Sequence, residues 1–356
     1  MKIDSRFITD TVTPGKPSGG YEWWYFDALS ADGVYSLVII FYEGNPFSKA
    51  YIRDQQLARP AGPEAFPAIS ISVYKHGDPI FYSFEEVEPT RAGFETECPA
   101  GFVGENHFRG EETAGGYRYV LNLNQHVATG DRIEAELHFN SGRAHLDPVS
   151  AGSADELDHS WNLVQPKAGV TGEIRISGLD HHSITFTGNG YHDHNSGGEP
   201  MKESFREWYW GRAHLPDSTV IYYLMNKQGV WDSRVFEVRD DEQTIRPYSC
   251  SVQRMEPITN LFGLASASRL SIRCEDIQID TTIRQILDDG PFYQRSLQQV
   301  EVEKGRSRRM CTGIGEYIYP SRIYFKRFWP LVDMRIQYPG KPHWVQRFPR
   351  LYRWTW

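Results

Sequence analysis

The chain has 356 residues and a formal net charge of −8, with 38 Lys and Arg against 46 Asp and Glu, a balance that gives no reason to expect nucleic acid as a partner. It contains no run of about 18 apolar residues that could cross a membrane as a helix, and the opening MKIDSRFITDTVTPGKPSGG lacks the apolar stretch of a secretory leader, so a cytoplasmic protein is expected. Ten Trp, 20 Tyr and 19 Phe favour pleated, half-buried surfaces and equally suit the walls of a pocket for an apolar ligand.

Period-two alternation recurs from end to end. Ala68 to Tyr74 puts Ile69, Ile71 and Val73 on one face with serines opposite. The same pattern recurs at Tyr119 to Leu123, Ile133 to Phe139, Ile184 to Phe186, Val235 to Val238 and Leu270 to Cys274. One dry face and one wet face is the signature of antiparallel sheet. Turn clusters punctuate these strands at Ala31-Asp32-Gly33, His76-Gly77-Asp78, Ala128 to Asp131 and Leu287 to Gly290. No amphipathic helix longer than three turns is expected.

Frequent strands without helical crossovers predict an all-β protein of barrels or sandwiches. A chain of this length suits two such domains side by side, residues 1–197 and 198–356, with the boundary near the glycines of Asn195-Ser196-Gly197-Gly198. The four cysteines, Cys98, Cys250, Cys274 and Cys311, are widely spaced and are read as free thiols. Residues 322–356 form a distinct tail, with eight Lys and Arg against the single acid Asp333, interleaved with aromatic side chains. Such a mixture suits either a membrane interface or a closing segment wrapped over the second domain. Prolines at 330, 339, 342 and 349 argue against one continuous helix there.

The densest polar cluster is Gly190-Tyr191-His192-Asp193-His194-Asn195, followed by Phe205-Arg206-Glu207-Trp208-Tyr209-Trp210. Neither a zinc motif with diagnostic spacing, a nucleophile elbow nor a phosphate loop is present, so no metal and no cofactor is expected. An aspartic acid in an aromatic pocket has its pKa raised by desolvation and can stay protonated near neutral pH. Trp and Tyr faces around it would stabilise a carbocation by cation–π attraction. Acid plus aromatic walls is what protonation of an alkene requires. The flanking His192 and His194 would act against it, since a neighbouring imidazolium lowers a carboxyl pKa. Glu22, in a Trp-rich strand, needs a partner, and Arg206 or Arg212 is expected to supply it.

Tyr21-Glu22-Trp23-Trp24-Tyr25-Phe26-Asp27-Ala28, the block from Gly190 to Pro200 with Phe205 to Trp210, and Gly313-Ile314-Gly315-Glu316-Tyr317 resemble the signatures of the carotenoid 1,2-hydratase family. The resemblance implies two lipocalin-like barrels and cofactor-free addition of water across the terminal C1–C2 double bond of an acyclic carotenoid. It also implies that His159-Ser160-Trp161 and Tyr191-His192-Asp193 match the family's His-x-Trp and Tyr-x-Asp pairs. On that basis Asp193 is the expected proton donor, with His159 polarising water and Trp161 and Tyr191 shaping the pocket. Glu22, Trp23, Trp24, His192, Asn195, Arg206, Trp208 and Trp210 are expected to bind the apolar polyene. The same superfamily contains pericyclases, and lipocalin-like barrels also serve as carriers, so cyclisation and simple ligand binding stand as alternatives.

Overall fold

The computed structural model describes residues 2–147 and 159–356. Its strands form two sheets, of thirteen and ten strands, among the described residues. Helices are short, the longest being Trp329–Arg335. Among the described residues none is long and apolar enough to cross a membrane.

The chain divides into two compact units and passes from the first to the second between Pro200 and Met201. The first unit also takes back Arg327–Trp356, most of the tail expected in the second domain. Local pairing explains the return. Ile336 and Gln337 add a short parallel edge strand onto Phe84 and Glu85. Lys49 pairs with Asp333, and Arg353 with Asp131 and Asp180.

In the first sheet, Tyr21–Ser30 and Tyr35–Glu43 form a hairpin, and Tyr21–Ser30 also pairs with His182–Gly197. His182–Gly197 pairs in turn with the 18-residue strand Ser160–Ser177. These long strands hold every first-unit residue of the expected site except His159, which immediately precedes Ser160–Ser177. Phe26, Phe41, Phe108, Tyr119 and Phe139 pack below them as an aromatic core.

The second sheet closes on Tyr209, Leu224, Val235, Leu270, Ile279 and Val300. There Cys250 and Cys274 form a disulfide, correcting the free-thiol reading, while Cys98 and Cys311 are free. The two half-cystines flank the hairpin of Ser251–Thr259 and Ala265–Arg273, whose end pair Ser251 and Arg273 brings them together. The turn expected at 287–290 falls later, because the strand Ile277–Asp289 runs on to Asp289.

Candidate active site

Antiparallel partners on adjacent strands share a face of the sheet, and neighbours along a strand alternate between faces. Asp193 lies opposite Tyr25, Asn195 opposite both Trp23 and Trp161, and Tyr191 opposite Asp27. One face therefore carries Tyr191, Asp193 and Asn195 with Trp23, Tyr25, Asp27 and Trp161. Apart from Trp23, all are buried.

The Asp193 carboxylate is held from three sides. Trp161 Nε1–H and the Tyr191 hydroxyl each donate to Oδ2 at 2.6 Å, and Asn195 Nδ2–H donates to Oδ1 at 2.9 Å. Bonds of this kind become roughly twice as strong when the acceptor is ionised. Burial pushes the Tyr191 hydroxyl pKa well above its ordinary value, and the charges of Asp193 and Asp27 push it further, so Tyr191 stays a donor. Two register shifts interrupt the pairing between Asn162 and Ala168, beside the run from Gly190 to His194. Irregularities of this kind commonly re-aim side chains at a site.

His159 precedes the same long strand, buried, with Nδ1 3.0 Å from the Tyr21 hydroxyl. Trp23 stacks on Tyr21 at 5.0 Å between ring centroids and lies 6.1 Å from the His159 ring. The His-x-Trp and Tyr-x-Asp pairs thus meet through the bond from Trp161 to Asp193.

The sequence profile of the carotenoid hydratase CrtC family matches residues 129–346, well over half of the chain. The chain belongs to the carotenoid hydratase family. The matched stretch includes His159, Trp161, Tyr191, Asp193 and Asn195. Among curated relatives, a hydroxyneurosporene dehydrogenase of Chlorobaculum tepidum is 28% identical over 346 residues, covering 91% of this chain and 88% of the other. An acyclic carotenoid 1,2-hydratase of Rubrivivax gelatinosus is 27% identical over 316 residues, covering 86% and 70%. The fold is shared with CghA in its complex with Sch210972, at a TM-score of 0.58, 14% identity, and coverage of 88% of this chain and 97% of that one. It is shared also with kievitone hydratase of Nectria haematococca, at 0.54, 11%, and 90% and 96%.

In this carotenoid hydratase family member, Glu22, Trp24 and His192 do not share the face of Asp193. Alternation turns them, with His194, to the opposite side, where a buried charge network runs. His192 Nε2 lies 2.9 Å from Asp10 Oδ2, and Tyr119 donates to the same carboxylate. His194 bridges Asp10 and Glu22, at 3.2 Å from Nδ1 and 2.8 Å from Nε2. Lys16 then pairs with both Glu22 and Glu43. The partners of Glu22 are thus His194 and Lys16, rather than Arg206 or Arg212, which belong to the second unit.

Burial alone would lower the His194 pKa, but Glu22 and Asp10 outweigh it and hold the value at about 9. Burial opposes ionisation of Asp10, yet His192 and His194 bring its pKa down to about 2. The imidazolium next to Asp193 in sequence is therefore committed to carboxylates on the other face. Trp24 stacks on His194 at 4.5 Å and Phe26 on His192 at 3.9 Å between centroids.

Trp208 and Trp210 lie in the second unit, buried, on the face of Glu207–His214 opposite the core residues Tyr209 and Ala213. Arg206 is exposed. Among the described residues no cluster of three or more His, Cys, Asp or Glu is disposed to hold a metal ion. A hollow of about 430 Å³ between Glu105, Glu134, Glu136 and Glu173 on the first sheet has walls too charged for a polyene.

Sequence reasoning missed Asp10, Lys16 and Asp27. Alternation from Trp23 through Tyr25 was the available signal for Asp27. Asp10 and Lys16 lie in an irregular segment that offers none.

Proposed function

We propose that the chain adds water, without a cofactor, across the terminal isoprenoid double bond of an acyclic carotenoid or related polyene, with Asp193 as the proton donor. The observation that carries this reading is the trio of donors from Trp161, Tyr191 and Asn195 on one buried carboxyl. An alkene is a very weak base, so proton transfer to it is limited by the stability of the carboxylate left behind. Donors already aimed at that carboxylate stabilise it without reorganisation at the moment of reaction.

The proton leaves the Asp193 carboxyl and goes to C2. A tertiary cation develops at C1, faced by the rings of Tyr25 and Trp23, each worth about 1–2 kcal/mol when desolvated. Water oriented by His159 captures C1 through oxygen and becomes an oxonium. Asp27 takes the oxonium's extra proton and passes it through the Tyr191 hydroxyl back to Asp193. The product is a tertiary alcohol, and the net change is one water added.

Mass spectrometry after incubation of acyclic carotenoids with the protein in H2(18)O tests the reading. A product heavier by one labelled water, abolished in Asp193→Asn with the circular dichroism spectrum retained, is the expected result. Loss of a hydrogen pair would mean dehydrogenation, unchanged mass with shifted retention would mean cyclisation, and unaltered substrate would mean a carrier. Full activity in Asp193→Asn would remove Asp193 from the chemistry.

A further inference from the structure

The closing segment presents outward what folded chains ordinarily bury. Trp344, Phe348, Leu351 and Trp354 are all exposed, Trp354 at 83% and the Trp344 and Phe348 side chains at 58% each. They follow one another at spacings of four, three and three residues through the turn Trp344–Arg347 and the helix Pro349–Arg353. Phe348 is extended where the turn gives way to the helix, so what the four side chains have in common is their exposure. The Trp344 and Phe348 rings meet edge-on at 6.5 Å.

The opposite side of the segment is anchored. Val345, Gln346 and Tyr352 are buried. Gln346 Nε2 donates to the carbonyls of Asp333, Met334 and Ile336, and the Tyr352 hydroxyl to that of Arg335. The apolar stripe is therefore held outward by fixed bonds.

Lys341, Arg347 and Arg350 are exposed on the same segment, and no ion pair within the described residues involves them. Residues 334–356 contain no acid, in a chain whose net charge is −8. Local charge is thus reversed where the apolar rings emerge. Indole rings flanked by cations match a lipid headgroup layer, where the rings sit at the boundary and the cations meet anionic phosphates.

We propose that the stripe Trp344, Phe348, Leu351 and Trp354, with Lys341, Arg347 and Arg350, docks the protein on an anionic lipid bilayer. Such docking would bring the enzyme to the phase in which long apolar polyenes dissolve, but the assignment rests on the surface itself and not on the reaction.

The test is co-sedimentation of the full chain with phosphatidylcholine vesicles, with and without phosphatidylglycerol. The protein is expected to pellet with the anionic vesicles and to be released as salt is raised. Arg347→Glu with Arg350→Glu should lower partitioning at least tenfold, at roughly fivefold or more per cation. Trp344→Ser with Trp354→Ser should lower it while leaving the thermal midpoint within a few degrees, since both rings are exposed. Wild-type protein left in the supernatant with anionic vesicles would overturn the proposal, as would variants that pellet like the wild type. Sedimentation-velocity analysis without lipid covers the rival occupant. A dimer abolished by the Trp pair would assign the stripe to a second copy of the chain and likewise overturn the proposal.

Discussion

Replacing Trp161 by Phe keeps an aromatic ring beside Asp193 and removes one N–H donor at 2.6 Å from Oδ2. A hydrogen bond to a buried charged group contributes about 1.5–3 kcal/mol. Because the bond strengthens as Asp193 gives up its proton, most of that energy is lost from the transition state, lowering kcat by roughly 10- to 150-fold. The same loss destabilises the carboxylate, so the limb of the pH–rate profile on which Asp193 ionises moves up by about one to two units. Tyr191→Phe removes the second 2.6 Å donor and should act in the same direction. The assay is initial rate of labelled-alcohol formation against pH, with urea unfolding run in parallel to separate the cost of the smaller ring. A Trp161→Phe enzyme within twofold of wild type, with the pH limb unmoved, would refute the idea that these donors serve proton transfer.

Stability should depend on pH through the network on the opposite face. The folded pKa of His194, about 9, lies above the unfolded value of 6.5, so its contribution of about 3 kcal/mol is fully present below pH 6.5 and lost as pH rises through 9. Urea midpoints at pH 6 and pH 10 measure this, and His194→Gln should flatten the dependence while destabilising the protein at pH 6. Asp10 acts at the other end: its depressed pKa stabilises the fold above pH 3.8, a contribution lost as pH falls through about 2. Gly190→Val should destabilise by about 1–3 kcal/mol in urea titration, because even a Cβ would come within 2.6 Å of the Asp27 carbonyl and of Val170. An unchanged midpoint would mean that the strands give way freely at that point. Replacing Cys250 and Cys274 together by Ser releases a cross-link spanning 24 residues and should cost about 3 kcal/mol, read from calorimetry of oxidised protein against the variant.

The strand pattern was legible because each face of a strand meets a different solvent. The alternation at Ala68 to Tyr74 became the strand Ala68–Lys75, and Ile133 to Phe139 lies within Arg132–Ser141. The same period, carried through Tyr191 to Asn195, separates His192 and His194 from Asp193, and the antagonism expected between them follows only if that period is ignored. The cysteine pair was read as free thiols, because spacing alone does not show that Cys250 and Cys274 flank one hairpin. What no local pattern holds is partnership across the chain. Asp10 meets His192 across 182 residues, and Lys16 reaches Glu22 and Glu43 from an irregular segment. The return of Arg327–Trp356 to the first unit is of the same kind, decided by a two-residue edge pairing and a few ion pairs.

The strand His182–Gly197 carries two sets of instructions on alternate residues. On the proposed mechanism, substitutions at 191, 193 and 195, with Trp161 across from them, would change which reaction is run, whereas those at 192 and 194 would change whether the strand is held at all. Selection can rewrite the first set while the second stays fixed, and this gives one scaffold a route to new chemistry without a new fold. Inserting or deleting a single residue there is the change that corrupts both sets together, because it exchanges the faces for the rest of the strand.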